Sequence, residues 1–370
     1  MKVLLLSLLV GEGLIKMNRS VEEVLTARGH RVRAARIYEN DPQKEKFNGE
    51  GYYKAMKLIP HLLVLGQKFG WWFGSRLKGT RPVFLGSDIK HSRRAVLEFM
   101  EEEKPDFIFT PVNFVGLALE QLKKEGSLPC EYGLLSPDYH VPLCSQMCRS
   151  AAFLATADEG VTQMYRRYDL HNLETTGIPV GRAFTDLPPK EELRQKLGVP
   201  CGRNVLITNG GFGFGRNLDF VRALTRELTD CGIIFVNGRN AEQKEKIDAY
   251  LAESGVRNVI NLGFVDNMQE WMAVSDVMVG KCGGCTVSEA AALDLNFVAY
   301  DNRFFPEMDN LKYLKDRAAT VAVRRPKQIV RVLARYDQDP ASFEQMRARL
   351  SALNDGHGAE RLADLIENRA

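Results

Sequence analysis

The chain has few of the features that mark a membrane-spanning, secreted, metal-binding or nucleic-acid-binding protein. None of its 370 residues lies in an apolar run long enough to span a bilayer, which argues against a transmembrane helix. The seven cysteines are scattered and odd in number, which predicts free thiols in a reducing compartment. Cys144 and Cys148, and Cys282 and Cys285, have zinc-ligand spacing, but no histidine pair matches them and the second pair lies in a glycine turn, which favours unrelated thiols. The net charge of +3 is too small to indicate nucleic acid.

What the chain does have is a regular alternation of strand-like and helix-like segments. The apolar run over residues 1–10 lacks a small-residue cleavage site and predicts a buried first strand rather than a signal peptide. Similar short apolar runs recur in one series that ends at residues 152–155 and in a second over residues 204–323. This alternation predicts two α/β domains, each a doubly wound, Rossmann-like parallel sheet covered by helices on both faces.

Glycine and proline cluster over residues 177–189, ahead of a new helical pattern. Such clusters are typical of domain linkers. We therefore expect an N-terminal domain over residues 1–180 and a C-terminal domain over residues 190–345. Residues 355–370 predict a closing C-terminal helix.

Residues 280–290, with the sequence Gly-Lys-Cys-Gly-Gly-Cys-Thr-Val-Ser-Glu-Ala, are the most informative stretch of the chain. They follow a predicted buried strand and open a predicted helix. Glycines let a backbone approach its ligand closely, and a helix N-terminus presents free N–H groups and the positive end of a dipole. Glu289 lies one turn inside, where its carboxylate can accept hydrogen bonds from a ribose. The stretch therefore predicts a cradle for a nucleotide diphosphate.

An aromatic cluster that contains Trp71 and Trp72 is flanked by lysines and arginines. Aromatic residues beside cations fit a membrane surface or a groove for a lipid acceptor. An amphipathic helical pair that packs onto its own domain fits the same pattern, and both interpretations stay open. On the first interpretation, residues 52–81 make a peripheral membrane contact.

Several short motifs follow one another in a recognisable order. In the C-terminal half they are residues 209–215, 237–240, 262–268, 281–290 and 307–310, and in the N-terminal half residues 11–14, 105–108, 137–138, 155–158 and 176–179. In this order they resemble the glycosyltransferases of the diacylglycerol glucosyltransferase and monogalactosyldiacylglycerol synthase group. The resemblance covers most of the chain and is stronger in the C-terminal half.

The resemblance implies a GT-B architecture, in which two doubly wound domains face each other and the C-terminal one holds a UDP-sugar. It implies that Glu289 binds the ribose, that the turn at residues 283–286 binds the diphosphate, and that residues 264–265 bracket the base. The implied donor-binding residues are Gly210, Gly211, Arg239, Phe264, Val265, Gly283, Gly284, Cys285, Thr286, Glu289, Glu307 and Asn310. Neither a metal nor another cofactor is expected, because a helix N-terminus can stabilise the departing UDP, and no Asp-x-Asp motif stands in an exposed loop.

The chain departs from this family where the acceptor is activated. Leu14 replaces the family's histidine after the first glycine loop, and leucine cannot take a proton. Asp138 becomes the first candidate for the general base, with His140 as its partner, although a loop histidine without a catalytic role fits equally well. Gly11, Gly13, Trp71 and Trp72 are assigned to the acceptor side by the same resemblance. Pro306 replaces a family glutamine, which leaves the identity of the sugar open.

The resulting hypothesis is an inverting, UDP-sugar-dependent hexosyltransferase that acts on a hydroxyl acceptor, in particular a lipid such as diacylglycerol. We expect it in the cytoplasm, with a peripheral contact at the inner membrane face and no nucleic-acid partner. One rival is a UDP-sugar epimerase of the same architecture, which needs no acceptor. Another is a catalytically impaired nucleotide-sugar sensor or partner subunit, which fits the loss of the family's histidine.

Overall fold

The computed structural model describes residues 1–9, 12–46, 86–142, 144–200, 202–208, 210, 217–229, 231–301 and 305–370. The predicted membrane contact at residues 52–81, with Trp71 and Trp72, lies outside the described residues, as do Gly11 and Gly211. The chain divides into two compact units. One unit comprises Met1–Gly181 together with His357–Ala370, and the other comprises Arg182–Gly356.

The first unit contains a parallel sheet of six strands. The strands are β1 (Lys2–Ser7), β2 (Arg31–Arg36), β3 (Phe107–Thr110), β4 (Glu131–Leu135), β5 (Phe153–Thr156) and β6 (Leu173–Thr175), in the order β2-β1-β3-β4-β5-β6. Its helices are α1 (Gly13–Ala27), α2 (Pro42–Lys46), α3 (Gly86–Glu103), α4 (Asn113–Lys124) and α5 (Glu159–Tyr165). The central strands are apolar throughout because helices cover both faces of a parallel sheet.

Helix α1 begins at Gly13, directly after the first loop. Leu14, Met17, Val21 and Leu25 recur at helical spacing, and the last three are buried. This apolar stripe extends the helix back to the end of the first loop. Leu14 therefore lies in the first turn of a helix, next to the loop that follows β1.

The second unit contains another parallel sheet of six strands. Its strands are β7 (Asn204–Thr208), β8 (Gly232–Val236), β9 (Val259–Leu262), β10 (Val277–Gly280), β11 (Asn296–Tyr300) and β12 (Val321–Val323), in the order β12-β11-β10-β7-β8-β9. Its helices are α6 (Lys190–Leu197), α7 (Asn217–Glu227), α8 (Ala241–Ser254), α9 (Met268–Ala273), α10 (Gly284–Ala292), α11 (Phe305–Asp316), α12 (Pro326–Gln338) and α13 (Pro340–Ser351). The predicted class, two doubly wound α/β domains, is confirmed.

The last helix, α14 (Gly358–Arg369), belongs to the first unit although it follows the second in sequence. Arg28 contacts Asp364 at 2.6 Å and Glu367 at 2.8 Å, and His30 Nε2 lies 2.6 Å from Glu367. The hydrogen bonds from His30 and Arg28 lower the pKa of the Glu367 carboxyl. Gly358 permits this packing, because a Cβ there would lie 2.9 Å from the carbonyl oxygen of residue 177.

The strand order places a crevice in each sheet. In the second unit β7 pairs with β8 on one side and with β10 on the other. The chain winds in opposite directions from this point, which opens a crevice at the carboxyl ends of β7 and β10. In the first sheet the direction of winding changes in the same way between β1 and β3. Open α/β sheets bind their ligands at such positions. Among the described helices, none combines the length and apolar character that crossing a bilayer requires.

Candidate functional site

The predicted phosphate cradle lies at the crevice of the second sheet. Strand β10 ends at Gly280, three residues follow, and α10 begins at Gly284. The N-cap residue Gly283 has an extended backbone and, as a glycine, no side chain that could cap the helix. The first N–H groups of an α-helix have no partner within the helix. The N-terminus of α10 can therefore donate hydrogen bonds to an anion and place the positive end of the helix dipole beside it.

The loop that follows β7 contacts the loop that follows β10. Gly210 has a φ of +77°, and a Cβ at this position would lie 2.7 Å from Cε of Lys281. A Cβ on Gly283 would lie 3.6 Å from the Lys281 ammonium nitrogen. The Lys281 side chain thus lies between the two glycine loops, with its ammonium near the start of α10. Gly211, the other predicted loop glycine, lies outside the described residues.

Helix α11 holds the loop that follows β10 in place through two side chains. Glu307 Oε1 lies 2.7 Å from the Lys281 ammonium, and Glu307 is 7% exposed. The Asn310 amide donates a hydrogen bond of 2.9 Å to the Cys282 carbonyl and is fully buried. These contacts give both residues a role in positioning the loop. Their direct contact with sugar hydroxyls stays a prediction.

Within α10 the Cys285 thiol contacts Glu289, the residue predicted to bind the ribose. The Cys285 Sγ donates to Glu289 Oε1 at 3.4 Å, and Glu289 is buried. Cys285 is partly exposed, whereas every other described cysteine is buried. Burial raises the pKa of the neighbouring Cys282 thiol, so that thiol stays protonated. Thr286, the remaining predicted diphosphate ligand, is partly buried on the first turn of the helix.

Asn237 connects the carboxyl ends of β8 and β9 through hydrogen bonds of its side-chain amide. Its amide donates to Asn261 Oδ1 at 2.7 Å and to the carbonyl oxygen of residue 262 at 2.9 Å. Just beyond these strand ends the Arg239 guanidinium stacks 4.6 Å from the centre of the Phe264 ring. Phe264 is 51% exposed although it is a large apolar residue, and Val265 beside it is partly buried. An exposed aromatic ring beside a guanidinium is suited to stacking with a planar base.

In the first unit, the predicted catalytic residues lie in the loop that follows β4. Asp138 and His140 are both half-buried, and the fully buried Tyr139 lies between them. The Ser136 hydroxyl is 3.5 Å from the carbonyl oxygen of His140. Asp138 and His140 therefore share one loop at the carboxyl edge of the sheet. Gly13 opens α1, at the end of the loop that follows β1.

Two features were missed by sequence reasoning. Lys281 was part of a motif but received no role, and the signal for it was a long cation inside a glycine-rich loop. An Asp-x-Asp does occur, at Asp337 and Asp339, but its carboxylates are used structurally: Asp337 pairs with Arg203, and Asp339 caps α13 by accepting from the Ser342 N–H. Within the described part of the chain, no three His, Cys, Asp or Glu side chains cluster as metal ligands.

Comparison with known proteins finds similarity mainly in the second unit. Residues 204–362 match the glycosyltransferase family 28 C-terminal domain. The processive diacylglycerol beta-glucosyltransferase of Bacillus pumilus is 28% identical over 199 residues, which cover 53% of this chain and 51% of that protein. The same enzyme of Staphylococcus haemolyticus is 21% identical over 275 residues, or 73% of this chain and 69% of that protein. The chain spans about half the length of the first curated relatives it matches.

Solved structures agree on the fold. MurG of Acinetobacter baumannii superposes with a TM-score of 0.62 at 14% identity, over 99% of each chain. The UDP-GlcNAc 2-epimerase of Neisseria meningitidis, bound to UDP-GlcNAc, superposes with a TM-score of 0.63 at 13% identity, over 100% of each chain. At such low identity these similarities establish the fold alone, and they confirm the predicted GT-B class.

Proposed function

We propose that this chain, whose residues 204–362 match the model of the glycosyltransferase family 28 C-terminal domain, transfers a hexose from a UDP-sugar to a hydroxyl acceptor with inversion. The observation that carries the proposal is the crevice between β7 and β10, where Lys281 lies beside Gly210 and the N-terminus of α10 begins after a glycine N-cap. This is a site for a diphosphate. The curated relatives are named for transfer to diacylglycerol, and we propose a lipid of that kind as the acceptor.

The donor site is assembled from three parts of the second unit. The α10 N-terminus and the Lys281 ammonium bind the diphosphate, Glu289 binds the ribose, and the surface of Arg239 and Phe264 binds the base. As the sugar leaves UDP, negative charge builds up on the β-phosphate. Helix N–H groups and a fixed cation stabilise such a charge without reorganisation. The transfer we propose therefore needs no metal ion.

Asp138 acts as the general base in this reaction. Its carboxylate takes the proton of the acceptor hydroxyl as the oxygen forms a bond to the anomeric carbon. The bond between that carbon and the β-phosphate oxygen breaks, and its electron pair stays on UDP. Attack from the face opposite the leaving group inverts the anomeric centre. The exposed side of the loop that follows β4 is the part of the first unit that supplies this base.

The test is a binding and transfer experiment with three donors. UDP-glucose, UDP-galactose and UDP-GlcNAc are titrated calorimetrically, and transfer to diacylglycerol in detergent micelles is followed by mass spectrometry. We expect one donor to bind best and to yield a glycolipid together with UDP. Conversion of UDP-GlcNAc without acceptor would instead identify an epimerase, and tight binding without product would identify a sensor or partner subunit. The absence of binding by all three donors would refute the donor site itself.

A thiol-labelling experiment tests the donor site independently of turnover. Cys285 is the partly exposed thiol of α10 and contacts Glu289. Bound UDP should cover it, because the diphosphate and ribose occupy the same helix turn. At a UDP concentration of 100 times Kd only about 1% of sites are empty, so alkylation by N-ethylmaleimide should slow by about 100-fold.

Mass spectrometry measures the alkylation of the peptide that contains Cys285, and the rate in buffer without UDP is the reference. Cys285→Ser serves as the control, since it should bind UDP and lose the protected label. If UDP binds but leaves the rate of Cys285 alkylation unchanged, the diphosphate does not lie at the start of α10.

A further inference from the structure

A buried hydroxyl contacts one end of the loop that carries the proposed base. The loop leaves β4 at Ser136 and ends at Ser145, where a short 3-10 helix begins. Between these serines lie Asp138 and His140. Tyr165, the last residue of α5, packs beneath the loop and is fully buried.

One end of the loop meets the Tyr165 hydroxyl. The Ser145 Oγ lies 2.5 Å from it, and Ser145 donates to the carbonyl oxygen of Pro142 at 3.0 Å. Because the Ser145 proton goes to Pro142, the Tyr165 hydroxyl donates to Ser145. At the other end, the Ser136 Oγ donates to the carbonyl oxygen of His140 at 3.5 Å. The Tyr165 hydroxyl, the Ser145 hydroxyl and the Pro142 carbonyl form one network that ties the loop to α5 on one side of the catalytic pair.

The network has the properties of a rigid anchor rather than of a proton carrier. Burial raises the pKa of the Tyr165 phenol well above its usual value, so the hydroxyl keeps its proton and remains a hydrogen-bond donor. The two serines are fully buried as well. A phenylalanine would fill the same space without the cost of desolvating a hydroxyl, so the retained hydroxyl points to a role in holding the loop.

We propose that Tyr165 is a positioning residue that fixes the loop of residues 136–145 so that Asp138 meets the acceptor hydroxyl. The part of the proposal that concerns catalysis rests on the proposed function, because it takes Asp138 as the base. A general base acts only within hydrogen-bond reach of the proton it removes. Loss of the anchor therefore reduces the rate of the chemical step and leaves the donor site in the other unit unaffected.

Tyr165→Phe removes the hydroxyl and keeps the ring. We expect kcat to fall by about 10- to 100-fold, since a misplacement of about 1 Å can cost that much. KM for the UDP-sugar should stay within about twofold, because the donor site is untouched. Hydrogen–deuterium exchange of the amides of residues 136–142 should become faster, whereas exchange of the β4 amides should not change.

Two further variants separate positioning from general stability. Ser145→Ala breaks the same hydrogen bond from the other side, and its effect should not add to that of Tyr165→Phe in the double variant. Tyr168→Phe removes an exposed hydroxyl three residues away and should change neither rate nor exchange. All variants are compared well below their melting temperatures.

The exchange measurement stands apart from turnover. Unchanged amide exchange over residues 136–142 in Tyr165→Phe would overturn the anchor, whether or not the protein transfers a sugar. Faster exchange with an unchanged kcat would overturn its role in catalysis. If the wild-type protein transfers nothing while exchange becomes faster, the anchor stands and the proposed function fails.

Discussion

Replacing Glu289 by alanine should weaken UDP binding by about 100-fold. Glu289 is 6% exposed and is held one turn inside the helix whose N-terminus forms the diphosphate cradle. A hydrogen bond to a charged group contributes about 1.5–3 kcal/mol, and a carboxylate can bind both ribose hydroxyls. Loss of about 3 kcal/mol corresponds to a factor of somewhat more than 100 in Kd. Titration calorimetry with UDP measures it directly.

Deoxy analogues show whether the loss comes from the ribose. The wild-type protein should bind 2′-deoxy-UDP or 3′-deoxy-UDP more weakly than UDP, whereas Glu289→Ala should bind UDP and the relevant analogue equally. Glu242→Ala is the matched control, because Glu242 lies on the exposed surface of the same unit, where its carboxylate contacts Lys246 at 2.6 Å. Equal discrimination against the deoxy analogues by wild type and Glu289→Ala would remove the ribose role.

The sequence allows the fold class to be predicted because parallel strands buried on both faces leave continuous apolar runs. The apolar runs of β7, β8 and β10 can each be recognised separately in the sequence. The glycine loop at residues 280–290 can also be recognised, because its strand, turn and helix N-terminus are adjacent in sequence. Local periodicity therefore suffices for both the fold class and the phosphate cradle.

Contacts between loops of different strands could not be predicted in this way. Lys281 and Glu307 are 26 residues apart, and Gly210 reaches Lys281 only because β7 and β10 are neighbours in the sheet. That neighbourhood follows from strand order, which a single sequence does not reveal. The burial of Asn310 against the donor loop has the same origin. Asn310, which the sequence pattern assigns to the sugar, therefore also holds the loop that follows β10 through this hydrogen bond.

The hydroxyl network at Tyr165 lay beyond sequence reasoning for a different reason. Serine and tyrosine are common, and nothing in their spacing distinguishes Ser136 and Ser145 from surface residues. Their burial becomes visible only when the loop after β4 is placed against the end of α5. Polar residues that act through a buried partner leave no periodic signal, which is why the sequence suggests Asp138 as a candidate base but gives no indication of a role for Tyr165.

Replacing Asp138 by asparagine should lower kcat for sugar transfer by about 100- to 10,000-fold. Positioned proton transfer contributes about that much, and an amide cannot accept the proton of the acceptor hydroxyl. Asparagine keeps the size and shape of the side chain, so the loop between Ser136 and Ser145 should keep its conformation. Steady-state kinetics with saturating UDP-sugar and acceptor measure the loss, and UDP affinity by calorimetry should stay within about twofold.

The variants around Asp138 decide where the base is. Asp169→Asn changes an aspartate of the same unit whose side chain is 76% exposed, and it should transfer at the wild-type rate. His140→Gln should reduce kcat less than Asp138→Asn if the histidine only assists. Full transfer by Asp138→Asn would contradict the assignment and direct attention to Glu12, the N-cap residue of α1 in the loop after β1. In the proposed reaction Leu14 cannot take the acceptor proton, so another group has to do so. A strong loss of kcat in Asp138→Asn with unchanged UDP binding would identify Asp138 as that group.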